Sequence, residues 1–212
     1  MEQTQHILKT GTTTAGIVCT DGIVLVADKR ATVGHTVAAE IKKIIPIGKR
    51  FAVTIAGTAS DAVMLSRHIK SEIKLKELRS GNEVTVKEAA NLLAQYVYGN
   101  IRQPSMIQGI THFILAGYDK TGAYLYDIFP DGSITLIQDY YCSGSGSVYA
   151  YGYVDAAYKS SLTVEEGITL AKGAIKAAIK RDTASGNGYA ITTITPQGIQ
   201  EVEDVTFQSP MQ

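Results

Sequence analysis

Strand-like and helix-like segments alternate along this chain in blocks, and the order of these blocks constrains the fold more than any other feature. Alternating apolar and polar residues, separated by Asp-Gly and Gly turns, predict strands at 13–25 (a hairpin), 43–46, 50–56, 111–116, 123–129, 133–139, 189–195 and 199–205. Apolar residues at helical spacing predict helices at 61–80, 85–97, 148–159 and 163–181. Because the helices come in pairs between runs of strands, we expect an α+β protein: a four-layer αββα sandwich of two antiparallel sheets between helix pairs.

Capping residues mark several of the predicted helix ends. Thr85 and Thr163 each begin a Thr-x-x-Glu sequence, which predicts a capping box at the start of the second helix of each pair. Gly81 follows the first predicted helix, at the position where a left-handed residue would end it. These residues support the division of the helical regions into pairs.

Composition excludes several classes of function. The chain has 212 residues without a linker, so one domain is expected. Its 20 basic residues balance 20 acidic ones without forming a basic cluster, so we expect neither nucleic acid nor an anionic membrane surface as a partner. No apolar run approaches the roughly 18 residues of a spanning helix, and the first residues lack the apolar core of a signal peptide. We therefore expect a cytoplasmic protein.

The residues that commonly bind metals or nucleotides do not form a recognisable motif. Cys19 and Cys142 are far apart in the sequence, so we expect two small buried hydrophobes rather than a zinc or redox pair. Gly144-Ser145-Gly146 begins like a dinucleotide loop, but Tyr149 occupies the position of the third glycine. We expect no metal and no cofactor, since the histidines also lack ligand spacing: His6, His35, His68 and His112.

Six short motifs follow one another along the chain. They are Gly11-Thr12, Asp28-Lys29-Arg30-Ala31-Thr32, Lys42-Lys43, Thr54-Ile-Ala-Gly57, Ser143-Gly-Ser-Gly146 and Arg181-Asp-Thr-Ala-Ser-Gly186. With these motifs in this order, the chain resembles the proteasome β-subunit family of archaeal type, which are N-terminal-nucleophile hydrolases. The fold of that family, antiparallel sheets between helix pairs, is the fold predicted above.

The Gly11-Thr12 motif has a chemical meaning of its own. A threonine hydroxyl is a weak nucleophile until a base removes its proton, and an N-terminal threonine carries that base as its own α-amino group. The amine has an ordinary pKa of roughly 7.7 to 8.0, so a useful fraction is unprotonated near neutral pH.

Thr12 gains a free amine only if the preceding residues are removed. We therefore expect a propeptide over 1–11, removed by self-cleavage, and a single catalytic domain over 12–212. Gly11 suits this cleavage because it lets the backbone bend.

The resemblance implies that Asp28 and Lys43 surround the nucleophile. A lysine ammonium beside an aspartate would lower the proton affinity of the threonine oxygen. The loop before the lysine pair is one residue shorter than the family pattern, and side chains alternate faces along a strand. A slip of one residue would turn Lys42 inward instead, and we expect Lys43 because the loop can absorb the deletion.

The resemblance also assigns the rest of the site. It makes the backbone N–H of Gly57 the oxyanion donor, and it places Ser145, Asp182 and Ser185 around the amino terminus and a water molecule. From the residues alone, Ser145 could equally be part of a loop. Asp182 and Ser185 could equally form the turn at the end of a helix.

An apolar pocket is implied for the substrate side chain. Its uncharged lining favours cleavage after large hydrophobic residues, because no charge is present to pair with a basic or acidic side chain. The backbone of Thr32 would pair with an extended substrate. The pocket residues are Ala31, Ile41, Ile45, Ile55 and Ala59, of which Ile41 depends on the shortened loop.

The family implies a large assembly. Two seven-membered β rings would be capped by rings of α subunits, and an ATPase regulator would act through the α ring on unfolded polypeptide. Two alternatives remain at this point: a catalytically silent β-type subunit of a mixed ring, and a hydrolase of small amides with an N-terminal nucleophile. The second would need a closed polar pocket, whereas the expected pocket is open and apolar.

Overall fold

Two five-stranded antiparallel sheets lie face to face, with a pair of helices on the outer side of each. The computed structural model describes residues 11–33, 36–106 and 108–207. The strands are β1 (Thr14–Cys19), β2 (Gly22–Asp28), β3 (Arg30–Val33), β4 (Thr36–Glu40), β5 (Ile44–Pro46), β6 (Phe51–Gly57), β7 (Thr111–Asp119), β8 (Gly122–Ile128), β9 (Ile134–Ile137), β10 (Tyr140–Ser143), β11 (Gly188–Thr195) and β12 (Gly198–Thr206). The helices are α1 (Ala59–Ser80), α2 (Val86–Ile101), α3 (Ser147–Ala157) and α4 (Val164–Arg181).

The sheet topology confirms the predicted α+β sandwich. One sheet has the strand order β10-β1-β2-β11-β12, and the other has the order β5-β6-β7-β8-β9. All of these pairings are antiparallel. The short β3–β4 hairpin forms a separate two-stranded sheet.

Three layers of apolar side chains hold the sandwich together. Side chains alternate along a strand, so β6 contributes Val53 and Ile55 to the cluster beneath α1 and α2, and Ala52 to the cluster between the sheets. A third cluster joins β1, β2 and β11 to α3 and α4 and includes both cysteines, Cys19 and Cys142. Burial raises the pKa of each thiol to about 12, in agreement with the prediction of two small buried hydrophobes.

The helix ends follow the predicted capping residues. Thr85 and Thr163 each accept a hydrogen bond from the backbone of the glutamate three residues later, and that glutamate's carboxylate accepts one from the threonine backbone. Gly81 ends α1 with a φ of 67° and donates its N–H to the carbonyl oxygen of Glu77. Local sequence therefore sets these boundaries independently of the sandwich.

The predicted strand at 133–139 is present as β9, whereas three strands were not predicted: β3, β4 and β10. After β9 ends at Ile137, the chain crosses to the opposite sheet, where β10 pairs with β1 in a segment for which no strand was predicted. Asp139 marks the crossing, because its carbonyl oxygen already accepts a hydrogen bond from Val18 of β1. The β3–β4 hairpin was not predicted, since its residues carry no apolar alternation of sufficient length.

The described ranges contain no helix that is both long and apolar enough to cross a membrane. Within the same ranges, no group of three or more potential metal-binding side chains comes together. His6 and His35 lie outside the described residues.

The capping box of α4 gives a stability prediction. Thr163→Ala removes the acceptor of the Glu166 N–H and should lower the free energy of unfolding by about 1 kcal/mol. Thr169→Ala, in the exposed interior of the same helix, should be neutral or slightly stabilising because alanine has the higher helix propensity. Urea unfolding of the isolated chain would measure both, and equal losses would contradict the assigned role of Thr163.

Candidate active site

Asp28, at the end of β2, is a buried carboxylate that accepts four hydrogen bonds. Its Oδ1 accepts from the backbone N–H of Thr13 at 2.9 Å and from the Nζ of Lys43 at 2.6 Å. Its Oδ2 accepts from the backbone N–H groups of Arg30 and Gly186, each at 3.0 Å. The side chain is 1% exposed, so these donors replace the water that a free carboxylate would bind.

The strand register decides which lysine of the pair faces inward. The carbonyl oxygen of Lys43 accepts the N–H of Ile55 at 2.9 Å, just before β5 begins its pairing with β6. Lys43 is 5% exposed and contacts Asp28. Lys42 points the other way, with 57% of its side chain exposed, and pairs with Glu201. The expected contact between Lys43 and Asp28 is therefore present, despite the shorter preceding loop.

Electrostatics at Lys43 combine two opposing effects. Burial lowers the pKa of the ammonium group, because it penalises the charged form, and the neighbouring Asp28 carboxylate offsets part of this effect. The Nζ atom also donates to the carbonyl oxygen of Gly11 at 3.2 Å. The cation therefore lies between a carboxylate and the peptide bond that precedes Thr12.

Thr12 is buried, with 4% of its surface exposed, and each of its polar atoms has a partner. Its Oγ1 donates to the carbonyl oxygen of Gly11 at 2.7 Å, so that oxygen accepts hydrogen bonds from both Thr12 and Lys43. Its backbone N–H donates to the Oγ of Ser145 at 3.2 Å, and its carbonyl oxygen accepts from the N–H of Gly146. The hydroxyl, the nitrogen and the preceding carbonyl of Thr12 thus have fixed positions relative to one another.

Gly11 owes its residue type to close packing. A Cβ on Gly11 would lie 1.8 Å from the Cβ of Ala184, which is far inside van der Waals contact. The sequence argument attributed this glycine to backbone bending, and the structure supplies a steric reason in addition.

Ser145, Asp182 and Ser185 form one hydrogen-bonded group. The Oδ2 of Asp182 accepts from the hydroxyls of Ser145 and Ser185, each at 2.6 Å. The Oγ of Ser185 also lies 2.7 Å from the Oγ1 of Thr13. Asp182 and Ser185 do form the turn after α4, and the same turn brings them to the residues around Thr12.

Two residues of this region were missed by the sequence analysis. Thr13 supplies the N–H that binds Asp28, and a backbone donor leaves no trace in residue type. Arg30 donates to the carbonyl oxygen of Thr183 at 2.8 Å and to the Oδ1 of Asn187 at 3.1 Å, so it holds both ends of the loop that contains Ser185. Arg30 is part of the motif Asp28-Lys29-Arg30-Ala31-Thr32, but the sequence analysis assigned it no role.

The predicted pocket residues fall into two groups. Ile55 belongs to the apolar cluster beneath α1 and α2, and Ile45, which pairs with Val53, packs against it. Gly57 ends β6 two residues after Ile55, and Ala59 is the first residue of α1. Gly57 has a φ of 92°, and a Cβ there would lie 2.2 Å from the carbonyl oxygen of Ile110, so only glycine fits.

The other group lies on the β3–β4 side. Ala31 is partly exposed in β3 and pairs with Ala39. The backbone of Thr32 pairs with Val37, and its side chain is outside the description. Ile41 lines a cavity of about 200 Å³ next to Asp28 and Lys43. None of the other four predicted pocket residues lines that cavity.

Comparison with known proteins identifies the family. The proteasome subunit family model matches residues 8–194. Proteasome subunit beta of Methanococcus maripaludis strain C5 is 38% identical over 200 residues, which cover 93% of this chain and 90% of that protein. Those of Methanocaldococcus fervens and Methanocaldococcus jannaschii are 40% and 39% identical, each over 92% of this chain and 86% of the relative. The chain therefore belongs to the proteasome β-subunit family, a family of proteases, as the motifs predicted.

The buried ion pair gives a second stability prediction. Lys43→Ala leaves the Asp28 carboxylate with backbone donors alone, and breaking a buried pair in this way commonly costs about 3 to 5 kcal/mol. Lys42→Ala removes only an exposed pair with Glu201 and should cost less than about 1 kcal/mol. Chemical unfolding of the two variants would test this, and similar midpoints would show that Asp28 does not depend on the ammonium.

Proposed function

We propose that this chain is a threonine endopeptidase subunit of a proteasome core particle, which removes its own propeptide and then cleaves unfolded polypeptides after hydrophobic residues. The observation that carries the proposal is the environment of Thr12. Its hydroxyl donates to the carbonyl oxygen of Gly11, which also accepts from the Lys43 ammonium that is paired with Asp28. Its nitrogen donates to the hydroxyl of Ser145. The propeptide would cover 1–11, of which 1–10 lie outside the described residues, and the catalytic domain would cover 12–212.

Propeptide removal would use the contact between Thr12 and Gly11. The Oγ1 atom adds to the carbonyl carbon of Gly11, the hydroxyl proton passes to the Thr12 nitrogen, and the C–N bond breaks to leave an ester. Water then hydrolyses the ester, which releases the propeptide carboxylate and restores the threonine hydroxyl. The Lys43 ammonium, 3.2 Å from the carbonyl oxygen, would stabilise the negative charge that forms there.

Peptide hydrolysis would then use the amine that this step creates. The free α-amino group accepts the proton of the Thr12 hydroxyl as the oxygen attacks the substrate carbonyl. Ser145, Asp182 and Ser185 would hold the amine and the hydrolytic water, and the N–H of Gly57 would bind the oxyanion. Asp28 would keep Lys43 in place beside the nucleophile.

The proposed substrate preference rests on the apolar residues of the predicted pocket. A pocket lined by Ile45, Ile55, Ala59 and Ala31 would present no charged side chain of its own, so large hydrophobic residues should bind best. The backbone of Thr32 would pair with an extended substrate. Ile41 is the pocket residue with the weakest support, because it lines a cavity next to Asp28 and Lys43 that none of the other four lines.

The family relationship extends the proposal to assembly. Its relatives carry the name proteasome subunit beta. We infer that this chain forms seven-membered β rings between rings of α subunits, with an ATPase regulator acting through the α ring. Binding energy from neighbouring subunits would stabilise the active conformation, so activity should follow the assembled fraction.

Processing at Thr12 is the decisive test of the proposed activity. After assembly with α subunits, intact mass should correspond to a chain that begins at Thr12. Thr12→Ala should assemble, keep its leader and hydrolyse no peptide, because both reactions need the same hydroxyl, whereas Thr12→Ser should retain part of the activity. A Thr12→Ala particle that still cleaves peptides would refute the mechanism. A wild-type particle that keeps its leader would instead identify a catalytically silent subunit.

The two lysines offer a matched pair for the rate. Lys43→Ala should slow leader removal and peptide hydrolysis by at least about a hundredfold, since one preorganised electrostatic contact commonly contributes about 2.7 to 4 kcal/mol to the barrier. Lys42→Ala should leave both rates close to wild type because its side chain is exposed on the opposite face. Initial rates with a hydrophobic fluorogenic peptide would measure the difference. Equal rates for the two variants would exclude Lys43 from the mechanism.

A further inference from the structure

A second hydrogen-bonded group, with a partly buried histidine between two buried polar side chains, lies apart from the Asp28 and Asp182 groups. The Nε2 of His112, in β7, lies 2.5 Å from the Oδ1 of Asp127, in β8. The Nδ1 of the same ring lies 2.7 Å from the Oγ of Ser143, in β10. His112 and Asp127 belong to one sheet and Ser143 to the other, so the imidazole bridges the two sheets by hydrogen bonds.

The partners of His112 define its hydrogen-bonding state. An ionised Asp127 can only accept, so Nε2 carries the proton, and in the neutral ring Nδ1 then accepts from the Ser143 hydroxyl. The rings of Phe129 and Tyr141 lie edge-on to the imidazole, with centroids 5.2 and 5.9 Å away. Burial, followed by the Asp127 charge, raises the pKa of Tyr141, so this phenol stays neutral near pH 7. Asp127 and Tyr141 are thus the titratable groups that face His112.

These residues have the composition of a serine-hydrolase triad, but their placement differs from one. Ser143 is only 3% exposed, and its hydroxyl points at a ring nitrogen between the sheets. A substrate carbonyl could not reach that oxygen without separating β10 from β1, with which it pairs at Thr14. Ser143 is therefore placed to hold the two sheets together through His112 and not to attack a substrate.

Ser143 lies two residues from a group that contacts Thr12. The next residue, Gly144, has a φ of 94°, and a Cβ there would lie 2.1 Å from the carbonyl oxygen of Thr12. Ser145 follows, and its Oγ accepts the Thr12 N–H at 3.2 Å. Gly144 is packed against Thr12, so a displacement of Ser143 would be passed on to Ser145, whose hydroxyl is otherwise held by the Oδ2 of Asp182 at 2.6 Å.

We propose that His112, held by Asp127, is a positioning residue that fixes Ser143 and thereby sets the Ser145 hydroxyl against the nitrogen of Thr12. This inference rests on the proposed function, in which that nitrogen becomes the general base. The inference extends the proposed function by giving His112, in the sheet opposite to β1, an effect on the Thr12 nitrogen through Ser143 and Ser145.

Loss of this support has a predictable effect on the amine. A hydrogen-bond acceptor at Ser145 stabilises the protonated amine, so its displacement lowers the amine pKa and moves the acid side of the pH–rate profile to lower pH. A less well oriented base should also reduce kcat by about tenfold with little change in KM, because the substrate pocket is untouched. A defect in folding alone would lower the number of active sites without moving the pH profile.

The test uses four variants of the assembled particle. Ser143→Ala removes the hydroxyl. His112→Asn keeps a polar atom near the position of Nδ1 and can still bind Ser143, whereas His112→Gln keeps one near Nε2 and binds only Asp127. Ser66→Ala is the matched control, because Ser66 is equally buried and has a single bond to the carbonyl oxygen of Ala62, in α1. Turnover of a hydrophobic fluorogenic peptide is measured per titrated active site from pH 5 to 9, with kcat and KM determined separately.

Ser143→Ala and His112→Gln should both lower kcat and shift the acid side of the profile, and His112→Asn should be closer to wild type than His112→Gln. The inference is overturned if, for both Ser143→Ala and His112→Gln, kcat per active site stays within about twofold of the Ser66→Ala control and the acid-side midpoint of the pH–rate profile does not move, whatever the yield of particle. It is also overturned if the order of the two His112 variants is reversed. Failure of the proposed function has a different signature, because Thr12→Ala would then still hydrolyse the peptide.

Discussion

The carboxylate of Asp28 is the group on which the arrangement around Thr12 depends. A buried charge is costly unless it is fully hydrogen-bonded, and its four donors come from four separate segments: the entry to β1, the start of β3, the approach to β5 and the loop after α4. The approach to β5 belongs to one sheet and β1 to the other. Satisfying one carboxylate therefore requires the correct assembly of both sheets, which couples the order of the site to the order of the fold.

The architecture was predictable where local sequence and packing agree. Thr85, Thr163 and Gly81 mark helix ends by their own hydrogen bonds, and they do so in the structure. Strand β10 was not predicted, because the sequence after Ile137 does not show that the chain crosses from one sheet to the other. Only the pairing of β10 with β1 shows the crossing, and that pairing joins residues more than a hundred positions apart.

The site divides in a similar way. Alternation along a strand limited the choice to Lys43 or Lys42 but did not decide it, and the register seen in the structure, with Lys43 opposite Ile55, places Lys43 against Asp28. Thr13 and Gly186 contribute backbone N–H groups, and any residue other than proline could supply those donors. Arg30 was hidden for another reason. Its partners are a carbonyl oxygen and an amide side chain beyond α4, so nothing in its own neighbourhood reveals them.

The peptide bond between Gly11 and Thr12 lies just outside the sheet ladder, whose first registered pairs in β1 join Thr14 to Ala27 and to Ser143. Cutting this bond would therefore break none of the registered backbone pairs of β1. The new chain end would still be tied through the N–H of Thr13 and the carbonyl oxygen of Thr12. Chain ends are ordinarily the least ordered part of a domain. This end would already be held by hydrogen bonds when the peptide bond is cut, so no refolding of the neighbouring residues would be needed.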